Sequence, residues 1–158
     1  MALRGSVPQR LVAQGKRMTA EDRLRLLEDK EAIRDLLLQY GRALDARDTR
    51  AYSELFAADG EWSGGVGQSR TPAGIKKMLD DLFSTSTGGL SKAHHVMANM
   101  VIDVDGETAT AHSRWMWMTG DAEGAPIVVR SGHYDDRLVR ENGRWKFQSR
   151  RAVTELSK

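Results

Sequence analysis

The spacing of apolar residues predicts helices in the first half of the chain. Along residues 20–46, they recur at intervals of three or four, which is the repeat of one helical face: Ile33, Leu37, Tyr40 and Leu44. This segment contains no proline, and its only glycine is Gly41. Thr19 and Asp22 resemble a capping pair at its start. The pattern predicts one long helix, or two abutting helices, over these residues.

Two shorter helices and a strand are predicted next. Asp48 can cap a helix over residues 49–60, with three inward-facing apolar residues: Tyr52, Leu55 and Phe56. Residues 61–69 form a short strand that ends in a glycine-rich turn. Thr71 followed by Pro72 is typical of a helix start. The helix predicted there, over residues 72–84, has four apolar residues on one face: Ile75, Met78, Leu79 and Leu82.

The second half alternates between apolar and polar residues, as strands do. It predicts four antiparallel strands, near residues 98–105, 107–119, 126–141 and 144–153. Asp105-Gly106 and Asn142-Gly143 are strong signals for hairpin turns. Because helices come first and an antiparallel meander follows, the order indicates an α+β fold with helices packed on one face of a curved sheet.

Composition and charge exclude several classes of protein. The 158 residues suit one domain, and the absence of cysteine excludes disulfides and thiolate zinc sites and favours the cytoplasm. Residues 1–18 hold four basic residues and no acidic one. Removing these four from the 24 basic residues leaves 20 against 22 acidic ones. We therefore predict a flexible basic tail over residues 1–18 and one near-neutral domain over residues 19–155. With no basic stripe and no long apolar run, no nucleic-acid or membrane partner is expected.

Three segments in order resemble a known family: "AIRDLLLQYGRALDARDTRAYSELFAADGEW", "HHVMANMVIDVDGETATAHSRW" and "GHYDDRLVRENGRWKFQSRR". They resemble the SnoaL-like branch of the nuclear transport factor 2-like superfamily, and the resemblance covers residues 20–152. It implies a cystatin-like cone, in which N-terminal helices lie over a strongly curved antiparallel sheet. It also implies a pocket for a small hydrophobic molecule at the open end.

The resemblance points to an acid–histidine pair. Scytalone dehydratase-like, bile-acid dehydratase-like and lindane dehydrochlorinase-like relatives pair an acid at the position of Asp45 with a histidine across the pocket. The family spacing "H-x-x-x-N" favours His95, four residues before Asn99. Strand alternation leaves His94 open, because it shares a wholly apolar face with the even-numbered residues: Val96, Ala98, Met100, Ile102 and Val104. Both histidines are therefore candidates, with His95 preferred.

Two further polar residues are catalytic candidates. Tyr40 lies where relatives carry a pocket tyrosine or lysine, although it also fits the apolar face of the first helix. Arg150 matches a pocket arginine of the dehydrochlorinase-like relatives, whereas simple alternation from Trp145 would favour Arg151 instead. A guanidinium there could stabilise a departing anion. The candidates for binding an apolar substrate are aromatic residues and a methionine: Trp62, Met97, Trp115, Trp117 and Tyr134.

The sequence predicts neither a metal site nor a cofactor. Adjacent histidines on a strand point to opposite faces, and no metal-binding motif accompanies them. The expected function is therefore a cofactor-independent lyase or isomerase that acts on a small hydrophobic molecule, with a cyclic one favoured. The alternatives are a non-catalytic ligand-binding or association domain and the small subunit of a ring-hydroxylating dioxygenase, because one fold hosts all of these.

A homodimer is predicted across the outer face of the sheet. Trp115 and Trp117 share one face of a strand, while Met116 and Met118 share the other. One of these two apolar faces can line the core and the pocket. The other then requires a cover, and a second copy of the chain would supply it.

Overall fold

The computed structural model describes residues 17–85 and 93–157. Three helices and six strands follow one another: α1 (Ala20–Asp45), α2 (Thr49–Ser53), β1 (Phe56–Gly64), β2 (Gly67–Arg70), α3 (Thr71–Thr85), β3 (His94–Asp105), β4 (Thr108–Gly120), β5 (Pro126–Glu141) and β6 (Arg144–Ser157). Most of the predicted basic tail, residues 1–16, lies outside the described residues. None of the helices in the described ranges is long and apolar enough to cross a membrane.

One curved, unclosed sheet carries the α+β fold, as predicted. Its strand order is β2-β1-β6-β5-β4-β3. The last four strands form the predicted antiparallel meander, and β1 joins it by running parallel to β6. Asn142 and Gly143 form the β5–β6 turn, both with positive φ, as a tight hairpin turn requires. In the β3–β4 hairpin the two turn residues are Gly106 and Glu107, while Asp105 still pairs with Thr108.

The first helix is continuous and begins at the predicted cap. The Thr19 hydroxyl accepts the Asp22 backbone N–H, and the Asp22 carboxylate accepts the Thr19 backbone N–H, each at 3.0 Å. One face of α1 packs into the core and buries its apolar side chains: Ile33, Leu36, Leu37, Tyr40 and Ala43. The core therefore lies between the helices and the inner face of the sheet.

The second helix is shorter than predicted. It ends at Ser53, and the chain has joined the sheet by Phe56, so the helix expected over residues 49–60 is wrong beyond its first five residues. The Phe147 backbone N–H donates to the Leu55 carbonyl at 2.9 Å, which shows how pairing with β6 takes over from the helix. A Cβ on Gly60 would lie only 2.7 Å from the Phe147 carbonyl oxygen, so this glycine permits a close approach of the two strands.

A β-bulge in β3 determines which histidine faces inward. The strand begins at His94 rather than near residue 98, so both histidines belong to it. Ala98 pairs with Arg114 and Val101 with His112, which leaves two residues of β3 against Ser113 alone. The extra residue shifts the alternation, because each residue of a strand faces the opposite way from the last. The inner face of β3 thus changes from odd-numbered to even-numbered residues: His95 and Met97, then Ile102 and Val104.

A second bulge, in β6, determines that Arg150, and not Arg151, faces the core. Arg137 pairs with Ser149 and Leu138 with Phe147, so Gln148 is the extra residue. Trp145 and Phe147 face the core before it, and Arg150 faces the core after it. Arg151 is exposed on the outer face.

Candidate active site

Asp45 and His95 meet where the end of α1 lies against the start of β3. The His95 Nδ1 is 2.6 Å from the Asp45 Oδ1. The His95 backbone N–H also lies 3.1 and 3.0 Å from the two carboxylate oxygens. Both side chains are partly accessible, with 16% of His95 and 25% of Asp45 exposed. One carboxylate therefore holds both the ring and the backbone of the histidine.

This contact determines which nitrogen of the imidazole is available. A carboxylate only accepts hydrogen bonds, so a neutral His95 carries its proton on Nδ1. Its Nε2 then bears a lone pair, and no described residue is hydrogen-bonded to that atom. When Nε2 takes a proton, the negative Asp45 stabilises the resulting imidazolium. The pair has the arrangement of a positioned general base.

A groove beside the pair gives it access to small molecules. It has a volume of about 430 Å³ and runs between α1 and β3. Its walls come from Asp45, His95 and six other residues: Asp35, Leu38, Gln39, Gly41, Arg42 and Met97. Leu38, Gly41 and Asp45 follow one another at intervals of three and four residues, so they share one face of α1, and this face lines the groove.

The two tryptophans of β4 lie on the inner side of His95. Trp117 pairs with His95 across the β3–β4 ladder and is half-buried. The ring of Trp115 lies 6.3 Å from the His95 ring, between it and Tyr134. His94, by contrast, is exposed on the opposite face of the strand.

Tyr40, a catalytic candidate that also fitted the apolar face of the first helix, lies in the core and is not among the residues that line the groove. Its side chain is only 1% exposed. Its hydroxyl oxygen accepts hydrogen bonds from the Tyr52 hydroxyl at 2.7 Å and from the Trp62 indole at 3.0 Å. Burial raises the pKa of Tyr52 and of Tyr134 well above the usual range, so both stay neutral phenols. Trp62 and Tyr134, two of the predicted substrate-binding residues, are equally part of this packed cluster.

Arg150 is buried and already paired, which corrects its predicted role at a departing anion. Its Nε and Nη2 donate to the two carboxylate oxygens of Asp136 at 2.8 and 2.9 Å, and neither side chain is exposed. The guanidinium also lies 3.9 to 4.4 Å from three ring centroids: Tyr40, Tyr134 and Phe147. Burial by itself would lower the pKa of Arg150, but Asp136 together with the neighbouring Tyr40 and Tyr134 raises it. Arg150 therefore anchors the core instead of facing a ligand.

Asp136 is a site residue that was not predicted from the sequence, although a signal was present. Asp136 alternates with Tyr134 and Leu138, both of which face the core, so alternation alone places its carboxylate inside. A buried carboxylate requires a cationic partner. Within residues 17–85 and 93–157, no three histidine, aspartate or glutamate side chains converge as a metal site would require.

Comparison with protein-family models gives one match, a SnoaL-like domain over residues 25–151. The chain belongs to the SnoaL-like family. Among solved structures, it resembles an NTF2-like protein with a cystatin-like fold from Novosphingobium aromaticivorans, at 27% identity and a TM-score of 0.72. That alignment covers 86% of this chain and 90% of the other. No protein of characterised function in the curated collection matched.

Two further solved structures share the fold at lower identity. LinA has 23% identity to this SnoaL-like chain and a TM-score of 0.72. The alignment covers 85% of this chain and 90% of LinA. A protein from Novosphingobium aromaticivorans named as a candidate scytalone dehydratase has 24% identity and a TM-score of 0.69. Its alignment covers 84% of this chain and 88% of the other. At these identities, the likeness shows a shared fold.

Proposed function

We propose that this protein is a cofactor-independent lyase or isomerase in which Asp45 and His95 act as one general base. The observation that carries the proposal is the 2.6 Å contact between His95 Nδ1 and Asp45, which leaves Nε2 without a partner among the described residues. The resemblance to LinA and to a candidate scytalone dehydratase supports the same class of reaction. The proposed substrate is a small hydrophobic, cyclic molecule, for which Leu38, Gly41 and Met97 supply the apolar part of the groove wall.

The proposed step is proton transfer from carbon. His95 Nε2 takes a proton from a carbon next to a carbonyl, and the C–H electron pair forms a carbon–carbon double bond. In an isomerase, the carbonyl oxygen receives the displaced electron pair as an enolate. In a lyase, the electrons expel a leaving group from the adjacent carbon. A positioned general base supplies roughly 10²–10⁴-fold of the acceleration.

Apolar contacts would orient the substrate in this groove. Leu38 and Met97 lie along its wall, and Gly41 contributes no side chain. Trp117 is half-buried beside His95 on its inner side and would limit how deeply a ring can enter. Trp62, Trp115 and Tyr134 would act only through the packing behind the groove, because all three are buried.

Hydrogen–deuterium exchange tests the proposal without knowledge of the natural substrate. A panel of small cyclic ketones is incubated with the protein in D₂O, and loss of the α-proton signal is followed by proton NMR. We expect exchange above the buffer rate for at least one ketone. Asp45→Asn and His95→Ala should each reduce that rate by roughly 10²-fold or more. The double variant should be little slower than either single one, because the two residues act as a unit.

The neighbouring histidine is the matched control. His94→Ala alters the same strand but faces the other way, so the exchange rate should stay within a factor of about two, as for a surface change. Loss of activity in His94→Ala alone would overturn the assignment of the base. Ligand binding that does not require Asp45 or His95, without exchange, would favour a non-catalytic binding domain.

We also propose that the protein is a homodimer through the outer face of the sheet. On that face, Met116 is 36% exposed and Val128 is 42% exposed. Multi-angle light scattering at micromolar concentration should give twice the chain mass. Met116→Glu should shift the mass towards the monomer, whereas Leu27→Glu should not, although Leu27 on α1 is 65% exposed. A monomeric wild type would contradict the proposal.

A further inference from the structure

The groove requires a cation that Arg150 cannot supply. Removing a proton next to a carbonyl places negative charge on the carbonyl oxygen, and a nearby donor must stabilise that charge. Arg150 is fully buried, and its charge is matched by Asp136. It is absent from the walls of the groove that contains the Asp45–His95 pair.

Arg42 is the guanidinium that lines this groove. It lies in the last turn of α1, three residues before Asp45, and it is exposed. Its side chain forms no hydrogen bond or ion pair with any residue in the described ranges. Arg34, on the same helix, is paired with Glu31 instead. The charge of Arg42 is therefore available to a ligand.

The helix places Arg42 next to the reacting end of the groove. Each residue advances an α-helix by about 1.5 Å, so Arg42 lies roughly 4.5 Å along the axis from Asp45. Asp35, which lines the groove as a second acidic residue besides Asp45, lies about 15 Å along the axis from Asp45. An anionic group on a ligand would therefore meet Arg42, rather than Asp35, close to His95 Nε2.

The groove between these charges is apolar and open. Leu38 and Met97 provide its apolar surface, and a Cβ built on Gly41 would be in ordinary contact with Met97 at 3.6 Å. Neither backbone strain nor a close contact thus requires glycine at this position. The missing side chain leaves space in the groove beside Met97, which an apolar ligand body can fill.

We infer that Arg42, rather than Arg150, is the anion-binding residue of this site, and that its ligands combine a small apolar body with a carboxylate or an enolate-forming oxygen. The inference rests on the proposed function for the location of the site and for the enolate, whereas the binding of a carboxylate does not depend on that chemistry. A carboxylate or an enolate oxygen offers the guanidinium the same partner, a negatively charged oxygen.

Two ligands of the same shape isolate the charge. Phenylacetate and phenylacetamide differ only at the carboxylate, and their binding is measured by ligand-observed NMR at pH 8, where unpaired histidine is mostly neutral. Wild type should prefer phenylacetate by about fivefold, the scale of one exposed ion pair. The preference should decrease with added salt. Arg42→Gln should abolish it, and Arg42→Lys should keep part of it.

Controls separate this inference from the proposed catalysis. Arg34→Gln removes a cation from the same helix outside the groove and should leave the preference intact. His95→Ala should also retain it, because the inference requires Arg42 and not the base. If Asp45→Asn left exchange unchanged while the preference still depended on Arg42, the proposed catalysis would fail and the anion site would stand. No carboxylate preference up to about 10 mM ligand, or an unchanged preference in Arg42→Gln, would overturn the inference.

Discussion

Two carboxylates on the inner side of this protein hold a cationic or basic partner, and they differ in exposure. Asp45 and His95 are 25% and 16% exposed at the start of β3, whereas Asp136 and Arg150 are both 0% exposed between β5 and β6. In the buried pair, both carboxylate oxygens accept from one guanidinium. In the accessible pair, the carboxylate contacts Nδ1 of the imidazole, and Nε2 has no hydrogen-bond partner among the described residues. Exposure, rather than pairing, separates the pair that can exchange a proton with a ligand from the pair that anchors the core.

Both pairs have members whose side chains face the inner side of the sheet. The difference in their exposure therefore arises from three-dimensional packing. Arg150 is enclosed by Tyr40, Tyr134 and Phe147, and this cluster fills the space below α1. His95 lies on β3, the edge strand of the sheet, where Trp115 and Trp117 of β4 are beside it on the inner side. The edge position leaves His95 open to the groove.

Breaking the buried pair should have the largest effect on stability. Asp136→Ala leaves the guanidinium of Arg150 buried without its counter-ion. The free energy of unfolding should fall by about 3–5 kcal/mol, the usual consequence of stranding a buried charge. Urea unfolding, followed by tryptophan fluorescence, measures the change.

The neighbouring aspartate provides the control for that experiment. Asp135 lies on the outer face, where it contacts His112 and Arg151, and its side chain is 40% exposed. Asp135→Ala should reduce stability by under about 1 kcal/mol. Replacing both members of the buried pair, as Asp136→Leu with Arg150→Met, should restore most of the loss. Equal losses at the two positions would contradict the comparison.

The bulge that turns His95 inward should be the next most sensitive feature. Asn99 adopts a positive φ of 51°, which asparagine tolerates and a β-branched residue does not. Asn99→Val should cost about 1–2 kcal/mol and should also slow ketone exchange, because the alternation that aims His95 is disturbed.

Asn142 is the matched position for that variant, because it has φ 52° in the β5–β6 turn. Asn142→Val should destabilise the protein to a similar extent and leave exchange per folded molecule unchanged. Asn99→Gly should preserve both properties, since glycine accepts this conformation. Equal losses of exchange in the two valine variants would show that the bulge has no special role.

The sequence predicted the order of elements well, because local signals determine it. The capping pair at Thr19 and Asp22, the Pro72 helix start and the Asn142-Gly143 turn all act within a few residues. The end of α2 was predicted wrongly, because Phe56 keeps helical spacing with Tyr52 while a strand distant in sequence captures it. Long-range pairing has no local signature.

The site was harder to predict than the fold for a related reason. Strand alternation left His94 and His95 unresolved and favoured Arg151 over Arg150, because each bulge shifts the facing by one residue. The family spacing selected His95 and Arg150, which are the two residues that the structure places on the inner face. Packing then encloses Arg150 in the core, and the sequence signal for this was indirect, because alternation with Tyr134 and Leu138 places the Asp136 carboxylate on the inner face.

Gly41→Ala should sharpen the distinction between a packed core and an open groove, with a smaller effect. A Cβ there has room, at 3.6 Å from Met97, and alanine is favoured over glycine in a helix by about 0.5–1 kcal/mol. The melting temperature should therefore rise. Phenylacetate, which would occupy the same space, should bind more weakly. A more stable protein with unchanged ligand binding would show that the space beside Gly41 is not used.

Lowering the pH should have the smallest effect on stability, and that effect should arise from carboxylates on the outer face of the sheet. Hydrogen bonds from His112 and from His133 lower the pKa of Asp135 and of Glu155 below their usual values of 3.8 and 4.5. Their contribution to stability is present above those values and is lost as pH falls through the lower folded-state pKa. Urea midpoints between pH 5 and pH 3 should therefore decrease, and less steeply in a variant with both Asp135→Asn and Glu155→Gln. An equal decrease in that variant would contradict this assignment.

The proton position on His95 tests the central claim most directly. Long-range nitrogen–proton correlation NMR at about pH 8 reports which ring nitrogen carries the proton, without any substrate. We expect His95 to be protonated on Nδ1 with an unprotonated Nε2, and we expect Asp45→Asn to disturb this tautomer. The exposed His94 should be unaffected by that change. A His95 protonated on Nε2, or one that does not respond to Asp45→Asn, would contradict the account.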